Sequence, residues 1–283
     1  MKTNSKGNRQ YKDSLFVDLF GTDIKAKERL LSLYSALSGK ELDKETPIRY
    51  FKLEQVLYMG FHNDVSCLID DKIIVLAEHQ STVNENMPLR FLEYVARLYE
   101  QFQEPKEKYR RKLIKIPCPE FYVFYNGLED FPVSKTLRLS DAFMVKREQV
   151  NLELTVRALN INHHKGSELL AKCKPLEEYS LFVETVRKHI ELDSKNGFDN
   201  AIKECLKNDI LREYLNRKAK EVFNMLMGEY DYATDIAVQR EEAAKEAWEK
   251  SSLQNARNLK NLGVPLEIIS QGVGLSIEEI KNL

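Results

Sequence analysis

The apolar positions of the chain change rhythm several times, and each change predicts a different element. Over residues 13–38 they recur at helical intervals, at Leu15, Phe16, Leu19, Phe20, Leu30, Leu31, Leu33, Tyr34 and Leu37. Gly21 divides that run into two pieces and Gly39 ends it. Residues 40–53, around Pro47, read as a loop, and Glu54 to Met59 as a short strand. Two apolar runs, Asp64 to Ile69 and Ile73 to Gln80, flank Asp70-Asp71-Lys72 and predict a hairpin. The period then turns helical from Asn86 to Gln103, through Leu89, Leu92, Val95, Ala96, Leu98, Tyr99 and Phe102. Pro88 fits that helix's first turn, where no backbone donor is needed. Phe121 to Tyr125 is a compact strand closed by the turn signal Asn126-Gly127, and Leu152 to Ile161 a further one. Strands bracketing a helix in this order predict an α/β core.

After about residue 165 the pattern is helical. Residues 175–227 read as helices broken near Asp193 to Gly197 and at Asn208-Asp209, and 233–262 as a charged helix or helix pair holding Trp248. This gives three regions: a core at 1–165, a helical region at 166–232 and a helical tail at 233–283. The tail ends in two short helices joined at Gly272 to Leu275, with Ser276 and Glu279 spaced as a capping box. That pair has few basic residues and no third helix to complete a helix-turn-helix. It reads as an oligomerisation or packing element, so a homo-oligomer through the C-terminal helices is expected.

Carboxylates inside apolar strands are the chemical oddity, because burying a charge is costly without a partner. Strand alternation sets Glu78 and Gln80 on one face and His79 on the other. With a three-residue loop at Asp70-Asp71-Lys72, Asp64 falls directly opposite Glu78. With a two-residue loop it falls opposite Ala77, and the carboxylates part to opposite faces. The apolar pattern leaves both registers open, since both faces read as buried. In the first register the Cβ atoms lie about 5 Å apart. Two carboxylates that close need a shared proton or a cation between them. Mg²⁺, which takes oxygen ligands and is often held by one or two carboxylates, suits such a pair.

Composition narrows the setting. The 283 residues are 43% hydrophobic and 31% charged, with a formal net charge of -1, so no overall field draws in nucleic acid. The densest basic stretch, Lys106 to Lys112, makes Arg110, Arg111 and Lys112 candidate DNA contacts, against the plainer reading of a solvated linker. Arg90, early in the helix after the hairpin, is placed to reach back to Glu78 or to a phosphate. His79 reads as a structural histidine. The aromatics Phe121, Tyr122, Phe124 and Tyr125 read as core. Cys67, Cys118, Cys173 and Cys205 lack paired spacing and read as isolated thiols, buried in a reducing compartment. The basic, polar N-terminus carries no apolar leader, and no apolar run approaches a membrane span, so a cytoplasmic protein without membrane contact is expected.

The D-(x13)-E-x-Q pattern on a hairpin, in this element order, resembles the PD-(D/E)XK nuclease superfamily. The fuller likeness is to the Rpn family of recombination-promoting nucleases, the YhgA-like transposase group. It is carried by Tyr11-Lys12-Asp13-Ser14-Leu15-Phe16, by NDVSCLIDDKIIVLAEHQSTVNENMPLRFLEY, by PEFYVFYNG, LRLSDAF and NLELTVRALNIN, and by the C-terminal LGVPLEIISQGVGLSIEEIKNL. The resemblance implies a restriction-endonuclease-like core, a mixed sheet flanked by helices over residues 1–165, followed by an all-helical C-terminal region. It implies that Asp64 and Glu78 hold Mg²⁺ or another divalent cation, and that the reaction is hydrolysis of a DNA phosphodiester. Gln80 stands where the superfamily usually has lysine. A glutamine can orient a water but brings no charge. Asp13 is the candidate for an additional acidic residue from the first helix, against a plain N-cap. The alternative is a nuclease-fold protein that binds DNA or proteins without cutting.

Overall fold

The computed structural model describes residues 15–51, 64–82, 84–102, 106, 109, 111–165 and 167–282. The chain divides into two compact units at Leu226/Met227. The expected strand at Glu54 to Met59 and the candidate Asp13 lie outside the described residues.

Among the described residues, the first unit is built on a six-stranded mixed sheet. Its strands are β1 (Ile48–Tyr50), β2 (Asp64–Ile69), β3 (Ile73–Gln80), β4 (Cys118–Tyr125), β5 (Ser134–Arg138) and β6 (Thr155–Asn160). The spatial order is β1-β2-β3-β4-β6-β5. The pairs β3/β4 and β4/β6 are parallel, and the outer pairs are antiparallel. The loop between β2 and β3 has three residues: Ile69 pairs with Ile73, and Asp64 with Glu78. Asp70 and Asp71 make that turn with φ of 51° and 52°. This left-handed region is one that aspartate, after glycine and asparagine, tolerates best.

Helix α3 (Met87–Phe102) carries the chain from β3 to the parallel strand β4 and covers one face of the sheet. Phe91, Val95 and Leu98 pack there with Leu68, Phe121, Val123 and Val156. The predicted stripe is shifted by part of a turn, because Leu89 is 47% exposed and Phe91 takes the inward position. Against the other face lie α1 (Leu15–Val17), the π-turn that continues it over Asp18–Thr22, and α2 (Ala26–Ser38). With them pack α4 (Glu168–Lys172), α5 (Lys174–Leu192), α6 (Gly197–Lys207) and the first turns of α7 (Arg212–Asn261). Phe16, Leu30, Leu33, Cys67, Val75, Phe124, Phe182 and Leu215 form that second, larger core.

Two expectations are corrected, and one strand is added to those expected. Residues 40–53 are not all loop, since β1 pairs with β2 along three residues at the sheet's edge. Strand β5 was not visible in the periodicity: only Leu137 of its five residues is buried, so it shows no apolar signature. Cys118 is exposed at the start of β4, while Cys67, Cys173 and Cys205 are buried. The aromatic run from Phe121 to Tyr125 is core as expected.

A buried ionic network ties the N-terminal turn to α7. Asp18 accepts from Thr22 (2.6 Å), Tyr214 (2.5 Å) and Lys218 (2.8 and 2.9 Å). Asp23 accepts from Arg29 (2.7 Å) and from both terminal nitrogens of Arg217 (3.0 Å each). Burial pushes both carboxyls up, but these donors outweigh it and hold each below the ordinary carboxylate range. Lys218 departs from helical backbone (φ −128°, ψ 23°) at the point where it reaches Asp18.

In the second unit the end of α7 packs with α8 (Leu266–Val273) and α9 (Ile277–Lys281) through Ala256, Ile269 and Ile280. The end of α7 is thus the third helix, which corrects the reading of an isolated pair. The capping box of Ser276 and Glu279 is formed, and Gly274 closes α8 at φ 73°. No helix among the described residues is long and apolar enough to cross a membrane.

Candidate active site

The candidate site lies on the α3 face of the β2–β3 hairpin. The register sets Asp64 directly opposite Glu78, and Glu78 next to Val123 of β4. Glu78 is 3% exposed. Its Oε1 accepts from Gln80 Nε2 at 2.8 Å and faces Arg90 Nη1 at 2.9 Å. Its Oε2 is buried and has no hydrogen-bond partner among the described residues. Burial pushes the Glu78 carboxyl above its ordinary value, and Arg90 and Gln80 offset only part of that. Native proteins rarely leave a buried carboxylate oxygen without a donor, so an orphan here asks for a missing partner.

The neighbours hold this arrangement in place. Gln80 Nε2 also donates to Met87 Sδ (2.8 Å), which ties the strand to the first turn of α3. Arg90 reaches back over Glu78 from the same helix, with Nη2 donating to Tyr94 (3.1 Å) and its guanidinium 5.9 Å from the Tyr94 ring centre. With Nε2 so engaged, the Gln80 carbonyl oxygen is the group left to accept from a water.

His79 points to the opposite face. It stacks on Phe16 (ring centres 5.4 Å apart), and its Nε2 lies 3.0 Å from the Tyr179 hydroxyl. Desolvation, with Arg187 nearby, lowers its pKa to about 4. It is a neutral structural histidine, as alternation predicts.

Arg110 lies outside the described residues. Arg111 and Lys112 are exposed and lead into β4 at Cys118, the strand end opposite Gln80, since Ile73 pairs with Cys118 and Gln80 with Tyr125. Among the described residues no three His, Cys, Asp or Glu side chains gather to hold a metal. An Asp64/Glu78 pair fits a hard cation only if waters or phosphate oxygens complete its shell, which is the usual condition for Mg²⁺. The bare Oε2 of Glu78 is the oxygen that would reach it.

A second polar group at the same end of the sheet escaped sequence reasoning. Asn126, Gly127, Asn160 and Asn162, at the ends of β4 and β6, converge with Arg187 of α5. The Asn126-Gly127 pair stood out only as a turn, and nothing along the chain links it to Arg187.

No curated protein and no solved structure matches the chain. A family model, described as putative transposase, YhgA-like, matches residues 69–217, more than half of the sequence and including Glu78, Gln80 and Arg90. The chain therefore belongs to the YhgA-like putative transposase family.

Proposed function

We propose that the protein is a divalent-metal-dependent DNA endonuclease of the Rpn type, serving recombination or a mobile element. The observation that carries this reading is the buried Glu78, which leaves one oxygen bare directly across the hairpin from Asp64. A divalent cation bound there would activate a water and offset charge on the phosphate oxygens. Asp64 and Glu78 would hold it. Arg90 and Gln80 share Oε1 of Glu78 and so orient Oε2 outward from that pair. Gln80, through its side-chain carbonyl oxygen, would hold the attacking water.

A second reading, a nuclease-fold protein that binds DNA or a partner protein without cutting, is favoured by Gln80 itself. The residue supplies no positive charge at the position where the wider superfamily carries lysine. The net charge of -1 points the same way.

Plasmid nicking with Mg²⁺, Mn²⁺ or EDTA, repeated with Asp64→Ala and Glu78→Ala, separates the two. The nuclease reading expects metal-dependent nicking that falls by at least about a hundredfold in either variant. Folded wild-type protein that binds DNA but nicks it under no divalent metal sinks that reading and leaves the second.

A further inference from the structure

The corner where β4 and β6 end has more hydrogen-bond donors than acceptors. Arg187 Nη1 donates to Asn162 Oδ1 at 3.0 Å, and Nη2 to the carbonyl of Asn126. A guanidinium has five N–H donors, so three remain without an acceptor among the described residues. Both acceptors it does have are neutral, and no carboxylate lies within ion-pair distance among the described residues. Glu184, one turn earlier on the helix, sits beside His163 instead (3.7 Å). Desolvation lowers the Arg187 pKa, and the more distant Tyr179, Tyr125 and Glu184 offset only part of that.

The surrounding amides do not make up the deficit. Asn160 Oδ1 already accepts from the backbone and side-chain nitrogens of Asn162 (3.0 Å each). Asn162 Oδ1 is taken by Arg187. Asn126 is 2% exposed, and its Nδ2 has no acceptor among the described residues. The frame is rigid: a Cβ on Gly127 would lie 2.1 Å from the Ser81 carbonyl, and Asn162 Nδ2 donates to the Gly127 carbonyl at 3.0 Å. The corner touches the candidate active site through the Asn126 N–H, which donates to the Gln80 carbonyl (2.9 Å). It also lies past the carboxyl ends of parallel strands, where open α/β sheets bind ligands.

A guanidinium hydrogen-bonded to neutral acceptors, with the unsatisfied Asn126 amide at the same corner, is complementary to an oxyanion. We infer that Arg187, supported by Asn126 and Asn162, forms a phosphate-binding subsite that takes a backbone phosphate of nucleic acid at the end of the sheet where β4 and β6 finish. The subsite rests on the DNA reading above for the source of its phosphate.

Binding of a labelled DNA duplex to the full chain, in Ca²⁺ or EDTA over a salt series, tests it. Each phosphate contact contributes about 0.9 to the slope of log affinity against log salt. Arg187→Gln is expected to lower that slope by about one, and Arg187→Lys to keep it. Asn126→Asp guards against misfolding. Its Nδ2 has no acceptor to lose among the described residues, and the new carboxylate puts a negative charge on the residue whose carbonyl Arg187 binds. That variant is expected to lose the same increment of slope with no fall in melting midpoint, which a purely structural role for Arg187 would not produce. Folded Arg187→Gln and Asn126→Asp proteins with the wild-type slope overturn the subsite. Wild-type protein with no salt-dependent DNA binding overturns the DNA reading instead. Inorganic phosphate at constant ionic strength then decides the subsite. A melting midpoint raised in wild type and not in Arg187→Gln supports an oxyanion site for free phosphate, and no rise in wild type overturns it.

Discussion

Arg90 reaches Glu78 across the gap between helix and strand, 2.9 Å from Oε1, and leaves Oε2 bare. The two partners respond unequally to mutation because they are unequally buried: the Arg90 side chain is 23% exposed and that of Glu78 4%. Without Glu78, Arg90 can turn to water. Without Arg90, Glu78 stays buried and unpaired. Arg90→Gln is expected to cost about 2–3 kcal/mol of stability, and Glu78→Gln less than about 1 kcal/mol. Urea unfolding of both variants checks the asymmetry. Under the proposed function Glu78→Gln also loses divalent-ion binding, measured by calorimetry, while it stays folded.

His79 makes acid sensitivity specific. Its folded pKa of about 4 lies below the ordinary 6.5, so protonation favours the unfolded chain. The stability linked to it is fully present above pH 6.5 and is lost as the pH falls toward 4. His79→Phe should flatten the pH dependence of the unfolding free energy, measured by urea titration between pH 7 and 4.5, by on the order of 2 kcal/mol. An unchanged slope would place the acid sensitivity in other groups.

The Asp18–Asp23 network is structural and fully satisfied, so removing one acid strands the bases around it. Asp23→Ala leaves Arg29 and Arg217 facing each other without their shared acceptor. The expected loss is about 3–5 kcal/mol, seen as a lower urea midpoint. Tyr214→Phe deletes one hydrogen bond to a carboxylate and should cost about 1.5–3 kcal/mol. Asp18 and Asp23 titrate below the ordinary carboxylate range, so their contribution holds at neutral pH and disappears only in strong acid.

Gly127 is fixed by close approach. Adding a methyl group there drives it into the carbonyl of Ser81, the residue after Gln80 at the end of β3. Gly127→Ala should cost about 2–4 kcal/mol and disturb the site end of β3 first. Hydrogen exchange at Gln80 and Asn126, compared with exchange at Val75, would show that local loosening.

How far these elements were legible depends on sequence distance. The hairpin announced itself through its two apolar runs, but apolar residues on both faces left its register open. Two left-handed aspartates in the turn settle it in favour of Asp64 opposite Glu78. Helix α3 was legible from its period, and Arg90 from its place in the first turns. The edge strands β1 and β5 were not, because one is three residues long and the other buries a single side chain. The Arg187 corner and the Asp18–Tyr214 contact join residues far apart in the chain, and no local pattern encodes such pairings.

Glu78, Gln80, Met87 and Arg90 all belong to one continuous strand–turn–helix passage. Closing so short a loop has a small entropic cost, and contacts of low sequence separation form early in folding. The carboxylate and its guanidinium therefore meet through local chain geometry, across a short stretch of sequence. The clamp on Glu78 belongs to the hairpin and α3 alone, which leaves the long C-terminal helices free to diverge without moving it.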